Sequence, residues 1–206
     1  EDEYANEILQ KTPKSIQIEV SATVYQKIAI RGTTEGMLAV AQTLSHSLQR
    51  LQLSENPLVL VVEKVEKPGN LGAIFRTADA AALDAIIICD PMVDLYNPNV
   101  IRAALGCLFT LQVAVGTSEE VIQWLRGRNI QSFAATPEGA VVYHAVDFTC
   151  ASAIVVGSEA DGLSETWMNH ADSQILIPMR GGIDSLNVSV SAAVIVFEAI
   201  RQRETA

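Results

Sequence analysis

Short runs of consecutive apolar residues recur along the chain from Pro57 onward. A strand that is buried on both faces has such a run, because neither face needs polar side chains. Six strands of this kind are predicted, over residues 58–62, 85–89, 111–115, 130–135, 153–156 and 174–177.

Stretches with helical spacing of apolar residues separate these runs, as where Ile74, Ala78 and Ala82 recur every fourth residue. Helices are predicted over residues 71–83, 98–105, 118–128 and 186–203. Ser118 is expected to cap the third of them. Alternating strands and helices favour an α/β domain whose mostly parallel sheet carries helices on both faces. By itself, the pattern predicts an open, doubly wound sheet.

Residues 1–55 have a more polar pattern, with a helix expected near the start. Short strands and one turn are expected further along, at 16–20, 36–41 and 31–36. The segment is too small for a typical domain. We therefore divide the chain into a partial N-terminal domain, 1–55, and a main domain, 56–206. Because the chain begins at Glu1 rather than at methionine, we expect further sequence upstream.

The closing helix is apolar on two faces. Its two apolar rows are Val190, Val194 and Phe197, and Ala192, Ile195 and Ala199. A helix of this kind is buried on more than one side, and one sheet covers only one of them. Either the helix is enclosed within one domain, or a second subunit covers the other side. We favour the second interpretation and predict a homodimer through this helix.

Composition restricts the class of protein. Of the 206 residues, 49% are hydrophobic, which is enough for a sizeable core. No apolar run approaches the roughly 20 residues that span a bilayer, and no signal-peptide leader is seen. The three cysteines and three histidines are scattered, without the spacing of metal ligands. We expect free thiols in a reducing cytoplasm, no membrane partner and no metal.

The formal net charge is −10, which counts against a nucleic-acid partner because backbone binding depends on Lys and Arg. The distribution of charge reduces the weight of this objection. Basic residues flank the three motifs described next: Lys64, Lys67, Arg76, Arg102 and Arg180. A basic patch on an acidic protein is therefore compatible with the sequence.

The first motif, residues 67–78, directly follows a predicted buried strand. Its Pro and Gly indicate a tight turn, and Asn70 occupies the expected N-cap of the next helix. A helix N-terminus binds anions, and Arg76 adds a fixed positive charge. Alternatively, Asn70 is only a cap and Arg76 only pairs with Asp79.

The second motif, residues 155–163, again leads from a strand into a glycine-bearing loop. Gly157 and Gly162 allow close approach of the backbone to a ligand or a positive φ. Glu159 follows the carboxyl end of a buried strand, where open α/β sheets place ligand-binding residues. An ordinary loop with capping hydrogen bonds is the alternative.

The third motif, residues 177–190, contains a proline, a glycine-rich loop and the start of the closing helix. Ser185, Asn187 and Ser189 alternate there, so they do not form one helical face. Polar groups at the start of a buried helix need partners, either backbone groups or a ligand.

In this order and spacing, the motifs resemble those of the SpoU (TrmH-like) family of RNA ribose 2′-O-methyltransferases, within the SPOUT class. The family patterns are Asn-x-Gly-x-x-x-Arg, Gly-x-Glu-x-x-Gly-Leu, and Ile-Pro-Met followed by Ser-Leu-Asn-Val-Ser-Val. The matching residues are Asn70, Gly72 and Arg76; Gly157, Glu159, Gly162 and Leu163; and 177–179 with 185–190. Ala82 and Ser191 depart from the family, whose members often carry Gly and Ala there.

The resemblance implies a SPOUT α/β knot, in which the C-terminal segment forms a trefoil knot, although chains in general do not thread loops. Residues 19–41 also resemble the end of the L30e-like RNA-binding domain that precedes this domain in many relatives. The implied function is S-adenosylmethionine-dependent 2′-O-methylation of a ribose in structured RNA, with rRNA favoured over tRNA.

The resemblance also assigns residues to the site. The implied S-adenosyl-L-methionine contacts are Thr136, Gly157, Ile177, Pro178, Met179, Leu186 and Asn187. The implied catalytic residues are Asn70, Arg76, Glu159, Ser185 and Asn187. Family proposals make the arginine a base, but a guanidinium hardly ever deprotonates, and a phosphate anchor that stabilises the alkoxide fits the same position. Glu159 would fix Arg76 or Asn70.

Two other classes remain as alternatives. A dinucleotide-binding enzyme would need the G-x-G-x-x-G spacing, which the first motif lacks. A non-catalytic RNA-binding or assembly protein on the same fold would suit the acidic charge, but it would not need all five implied catalytic residues.

Overall fold

A computed structural model describes residues 3–30 and 36–205 of the chain. These residues form two compact units, 1–44 and 45–206. The main unit therefore begins ahead of the boundary at 55/56 that the pattern suggested. Val115 N donates to His46 O at 2.7 Å, and Leu48 is buried, so residues 45–55 pack within the main unit.

The smaller unit contains two helices, α1 (Glu3–Lys11) and α2 (Ala22–Ile28). The helix near the start is thus confirmed, but the strands expected at 16–20 and 36–41 are wrong, and neither segment is paired. A strand needs a neighbour to satisfy its backbone groups, and no described segment of this unit provides one. The expected turn at 31–36 lies largely outside the described residues. No described side chain of residues 5–30 and 36–44 is buried.

The main unit contains a seven-stranded sheet in the order β3-β2-β1-β6-β4-β7-β5, with every pairing parallel. The strands are β1 (Leu58–Glu63), β2 (Ala85–Cys89), β3 (Val113–Gly116), β4 (Gln131–Ala135), β5 (Val141–Val142), β6 (Ser152–Val156) and β7 (Ser173–Leu176). Leu60 is in register with Ile86 on one side and Ile154 on the other. The predicted parallel α/β sheet is confirmed. Only the two-residue β5 was not predicted, because it is too short for a pattern.

Five helices lie between these strands along the chain, and a sixth follows the last strand. They are α3 (Pro68–Ala80), α4 (Pro98–Ala104), α5 (Cys107–Thr110), α6 (Ser118–Arg126), α7 (Glu165–His170) and α8 (Val188–Thr205). Alternate residues of β1 enter two separate cores, Leu60 with α3 and α8, and Val61 with α6 and α7. Helices therefore cover both faces of the sheet, as predicted.

Two local features differ from the prediction. Thr117, not Ser118, caps α6, and Glu120 completes a capping box with it. Ser118 is instead buried, and its hydroxyl is hydrogen-bonded to the carboxylate of Glu63 at the end of β1. The six-residue α7 was not predicted, because a helix of under two turns leaves too little periodicity to recognise.

Candidate functional site

A cavity of about 570 Å³ opens at the carboxyl ends of β4, β6 and β7. The segments that follow these strands line it, together with the first residues of α8. This is the edge at which parallel sheets bind ligands, and the volume is within the usual range of about 300–1,000 Å³ for small-molecule sites. Residues of the second and third motifs contribute most of its wall.

Asn70 lies in the first turn of α3 but does not cap it, contrary to our expectation. The N-cap is Lys67, with Pro68 at the first helical position, and no side chain caps this end. Proline fixes the first turn without needing a backbone donor, so the helix can begin there. The Asn70 side chain is consequently available for other partners.

Those partners come from the two other motifs. Asn70 Nδ2 donates to Glu159 Oε1, and Asn187 Nδ2 donates to Asn70 Oδ1 at 3.2 Å. The second oxygen, Glu159 Oε2, is buried and has no hydrogen-bond partner among the described residues. A buried acceptor without a partner is costly, and a ligand donor would relieve that cost.

The second motif forms a tight loop above β6. Ser158 and Gly162 form an antiparallel bridge through two backbone hydrogen bonds of 3.0 and 3.2 Å. Gly162 has a φ of +69°, and a Cβ on Gly157 would collide with the Gly162 backbone. Both glycines are therefore required by the shape of this loop, which presents Glu159 to the cavity.

The third motif carries the chain from the cavity into α8. Asn187 Oδ1 accepts from Ser189 Oγ at 2.7 Å and from Ser189 N at 3.0 Å. Asn187 is thus tied to the first turn of α8 while its amide reaches Asn70. Ser185 and Leu186 line the cavity beside it.

The segment after β4 contributes a hydroxyl and a carboxylate. Thr136 is buried, and its Oγ1 donates to Glu138 Oε2 at 2.6 Å. This hydrogen bond, helped by the backbone N–H of Glu138, holds the pKa of the Glu138 carboxyl below its usual range. Both residues line the cavity, so a negative charge is fixed at its rim.

Most of the predicted site residues meet at this cavity. Those that line it are Thr136, Gly157, Glu159, Ile177, Met179, Ser185, Leu186 and Asn187. Asn70 reaches it through its hydrogen bonds. Pro178 is exposed and is not part of the lining. Arg76 is also exposed, two turns along α3, and does not line the cavity. Among the described side chains, Asp79 accepts from Thr110 rather than pairing with Arg76.

Sequence reasoning did not assign four charged residues of the cavity wall: Lys67, Glu138, Asp161 and Asp184. Glu138 could have been found, since Thr-Pro-Glu-Gly directly after a predicted strand contains the residues that favour a turn. The other three lie on loops whose path the sequence does not determine. Lys67 and the other basic residues that flank the motifs are exposed: Lys64, Arg76, Arg102 and Arg180.

S-adenosylmethionine fits the residues present. The Gly157 loop allows a ligand to approach the backbone, and the unpaired Glu159 oxygen offers an acceptor for a ligand hydroxyl or amine. Ile177, Met179 and Leu186 supply apolar contacts for a flat ring. In the described part of the chain, no three His, Cys, Asp or Glu side chains are grouped to hold a metal ion. Nor is any helix in that part long and apolar enough to cross a membrane.

Residues 57–197 match the "SpoU rRNA Methylase family". Over 210 residues, the chain is 30% identical to the 23S rRNA (uridine(2479)-2′-O)-methyltransferase of Streptomyces viridochromogenes, covering 97% of this chain and 72% of that protein. It is 33% identical over 174 residues to the 23S rRNA (guanosine-2′-O-)-methyltransferase RlmB of Ralstonia nicotianae, covering 82% and 70%. The family match, over residues 57–197, includes all three sequence motifs.

A solved structure shares the fold. The SpoU methyltransferase AviRb from Streptomyces viridochromogenes, crystallised in complex with the cofactor AdoMet, superposes with a TM-score of 0.88 at 29% identity. The match covers 100% of this chain and 80% of that one. Both units of this chain therefore have counterparts in the AviRb structure.

Proposed function

Because the chain belongs to the SpoU rRNA methylase family, we propose that it methylates the 2′-hydroxyl of a ribose in ribosomal RNA. The chain is an RNA ribose 2′-O-methyltransferase that uses S-adenosylmethionine. The observation that carries the proposal for this site is the convergence of Asn70, Glu159 and Asn187 at one cavity. Ribosomal RNA is favoured over transfer RNA because the relatives described above act on 23S rRNA.

We place the cofactor in the cavity at the carboxyl edge of the sheet. Backbone groups of Gly157, Ile177 and Leu186 would contact it, with Thr136, Met179 and Asn187 around it. Pro178, which is exposed outside the lining, would act only by restricting the backbone between Ile177 and Met179. The rim carboxylate of Glu138 suits a cationic ligand, since Thr136 stabilises its charged form. Bound S-adenosylmethionine supplies a methyl group that is already activated, so the residues have mainly to orient the two reactants.

The catalytic residues divide this task. Asn70 is held between Glu159 and Asn187, and the Glu159 Oε2 atom remains free to accept from a hydroxyl or amine of a bound reactant. Arg76 lies outside the cavity wall on the exposed side of α3, where a bound RNA phosphate could reach it. We assign Arg76 as a phosphate anchor that also stabilises the developing alkoxide, because a guanidinium does not readily accept or lose a proton. Ser185 would help orient the hydroxyl.

The smaller unit is proposed to be part of an L30e-like RNA-binding domain, and the main unit, from Ser45 onward, the knotted methyltransferase domain. Apolar side chains of the smaller unit are widely exposed, including Ile18, Ile30 and Val40. Such exposure suits a segment that packs against further protein or RNA. A cytoplasmic location follows from an RNA substrate and free cysteines.

A homodimer through α8 is also proposed. Ala192, Ile195 and Ala199 are fully buried against the sheet, whereas Val190 and Phe197 are 46% and 48% exposed. The row of Val190, Val194 and Phe197 is therefore only partly covered by the described residues. A second copy of α8 would bury it.

A non-catalytic RNA-binding role is the alternative, favoured only by the net charge of −10. Two measurements separate the proposals. Calorimetry tests whether the purified protein binds S-adenosylmethionine. Transfer of a labelled methyl group to unmodified ribosomal and transfer RNA fractions then tests catalysis and substrate class. Cofactor binding without methyl transfer to either RNA would contradict the proposed function.

A further inference from the structure

Glu63 is the last residue of β1 and is fully buried. It does not line the cavity and belongs to none of the three motifs. Charged side chains are very seldom fully buried unless they are paired or hydrogen-bonded. Its position therefore requires a physical reason.

Both carboxylate oxygens of Glu63 have partners. Oε2 accepts from the backbone N–H of Ser164 at 2.8 Å, and Oε1 accepts from Ser118 Oγ at 3.0 Å. Ser118 Oγ in turn contacts Asp90 Oδ2 at 2.7 Å and accepts from Trp167 Nε1 at 3.0 Å. This network of hydrogen bonds joins the ends of β1 and β2 to the starts of α6 and α7.

The bond to Ser164 has a particular consequence for the site. Ser164 is the first residue after the second motif and lies at the N-cap position of α7. At its other end the loop leaves β6 at Gly157, and within the loop the Ser158–Gly162 bridge and the bond from Asp161 N to Ser158 Oγ at 3.0 Å close the turn. The Glu63 bond therefore fixes the point at which the loop returns to the body of the domain.

We infer that Glu63 is a positioning residue for the cofactor site: it holds the loop of residues 157–163 so that Glu159 meets Asn70. This inference rests on the proposed location of S-adenosylmethionine. Glu63 acts through Ser164 and the loop, without touching the cofactor. The Asn70–Glu159–Asn187 contacts depend on where that loop lies.

Glutamine can replace Glu63 in this geometry. Its carbonyl oxygen would accept from Ser164 N, and its amide would donate to Ser118 Oγ. Ser118 has a single hydroxyl hydrogen, which would then be free to donate to Asp90. Alanine removes both contacts and leaves the Ser164 N–H without its acceptor. Glu63→Gln should therefore preserve the loop, while Glu63→Ala should release it.

The test is calorimetric titration of S-adenosylmethionine into the full chain and three variants. Glu63→Ala should raise Kd by roughly tenfold, because the released loop would have to be ordered again when the cofactor binds. Glu63→Gln should bind within about twofold of the parent chain. Ser132→Ala is the matched control. Ser132 is also buried, and its hydroxyl donates to Asp172 Oδ2 at 2.7 Å, but it lies near the amino end of β4 and does not line the cavity. It should lower the melting temperature and leave Kd unchanged.

A purely structural role predicts a lower melting temperature with an unchanged Kd for folded Glu63→Ala, and that result would overturn the inference. If Glu63→Ala does not fold, Ser164→Pro decides, because it removes the same hydrogen bond from the loop side. Ser164 has a φ of −66°, which proline can adopt. An unchanged Kd for folded Ser164→Pro would likewise overturn the inference. If the parent chain itself binds no S-adenosylmethionine, the proposed site fails instead.

Discussion

The Asn70 side-chain amide donates to the Glu159 carboxylate, although 89 positions separate the two residues in the sequence. One lies in the first turn of α3, after β1, and the other in the loop after β6. They meet because β1 and β6 are neighbours in the sheet and run in the same direction. This contact joins the first motif to the second.

Replacement of Asn70 by Asp should place two carboxylates against each other and remove the donor. We expect methyl transfer to fall by on the order of 10²-fold at neutral pH. Mutual repulsion makes protonation of one of the pair easier, so the ratio of variant to parent activity should rise as pH falls. The pH dependence of single-turnover rates for both chains measures this.

Asn99→Asp is the control for that substitution, since Asn99 is an exposed asparagine in the first turn of another helix, α4. It should leave the rate unchanged. Equal rates for Asn70→Asp and the parent would show that the Asn70–Glu159 contact has no part in catalysis.

Arg76→Ala should abolish methyl transfer while leaving cofactor affinity nearly intact. Arg76 does not line the cavity, so its contribution to cofactor binding and its contribution to the transition state should separate. The loss of a well-placed electrostatic donor typically costs on the order of 10²–10³ in rate. Single-turnover methylation and calorimetry together measure the two effects.

Asp79→Ala is the matched control, because Asp79 is exposed on the same helix and contacts Thr110. An exposed polar contact contributes at most about 1 kcal/mol, so this variant should remain active. Equal activity of both variants would make Arg76 structural and our assignment wrong.

Phe197→Glu should convert the proposed dimer to a monomer. Phe197 is 48% exposed on α8, and a carboxylate there could not be buried against a second copy without a large cost. Light scattering should give twice the chain mass of 22.2 kDa for the parent and the single mass for the variant. Phe109→Glu, at another phenylalanine that is 57% exposed, should remain dimeric. A monomeric parent chain at micromolar concentration would refute the dimer.

Ala82→Gly should stabilise the protein. Ala82 directly follows the C-cap of α3 and has a φ of 48°, in the left-handed region; its N–H donates to Asp79 O, and Leu83 N donates to Ala78 O. This arrangement favours glycine, and alanine costs about 1 kcal/mol there. Urea unfolding should show an increase of roughly that size with an unchanged m value.

Ala80→Gly, two residues earlier and still helical, should have the opposite effect and destabilise by about 0.5–1 kcal/mol. If both glycines destabilised the chain, the left-handed position would not be the cause.

The order of elements in the main unit could be predicted from the sequence, because burial on both faces leaves continuous apolar runs such as 85–89. The three motifs could also be located, since each directly follows a strand or opens a helix. Short elements could not: Val141–Val142 and Glu165–His170 are stabilised by neighbours that come from distant parts of the chain.

The roles of individual polar residues were decided by the tertiary structure. The residue pattern made Asn70 a cap, the family resemblance made it a catalytic residue, and neither gave a role to Glu63. The fold places Asn70 between two other motifs and buries Glu63 completely. Periodicity records which side of an element is apolar. It does not record that β6 pairs with β1 on one side and β4 on the other, and it is this strand order that brings the motifs together.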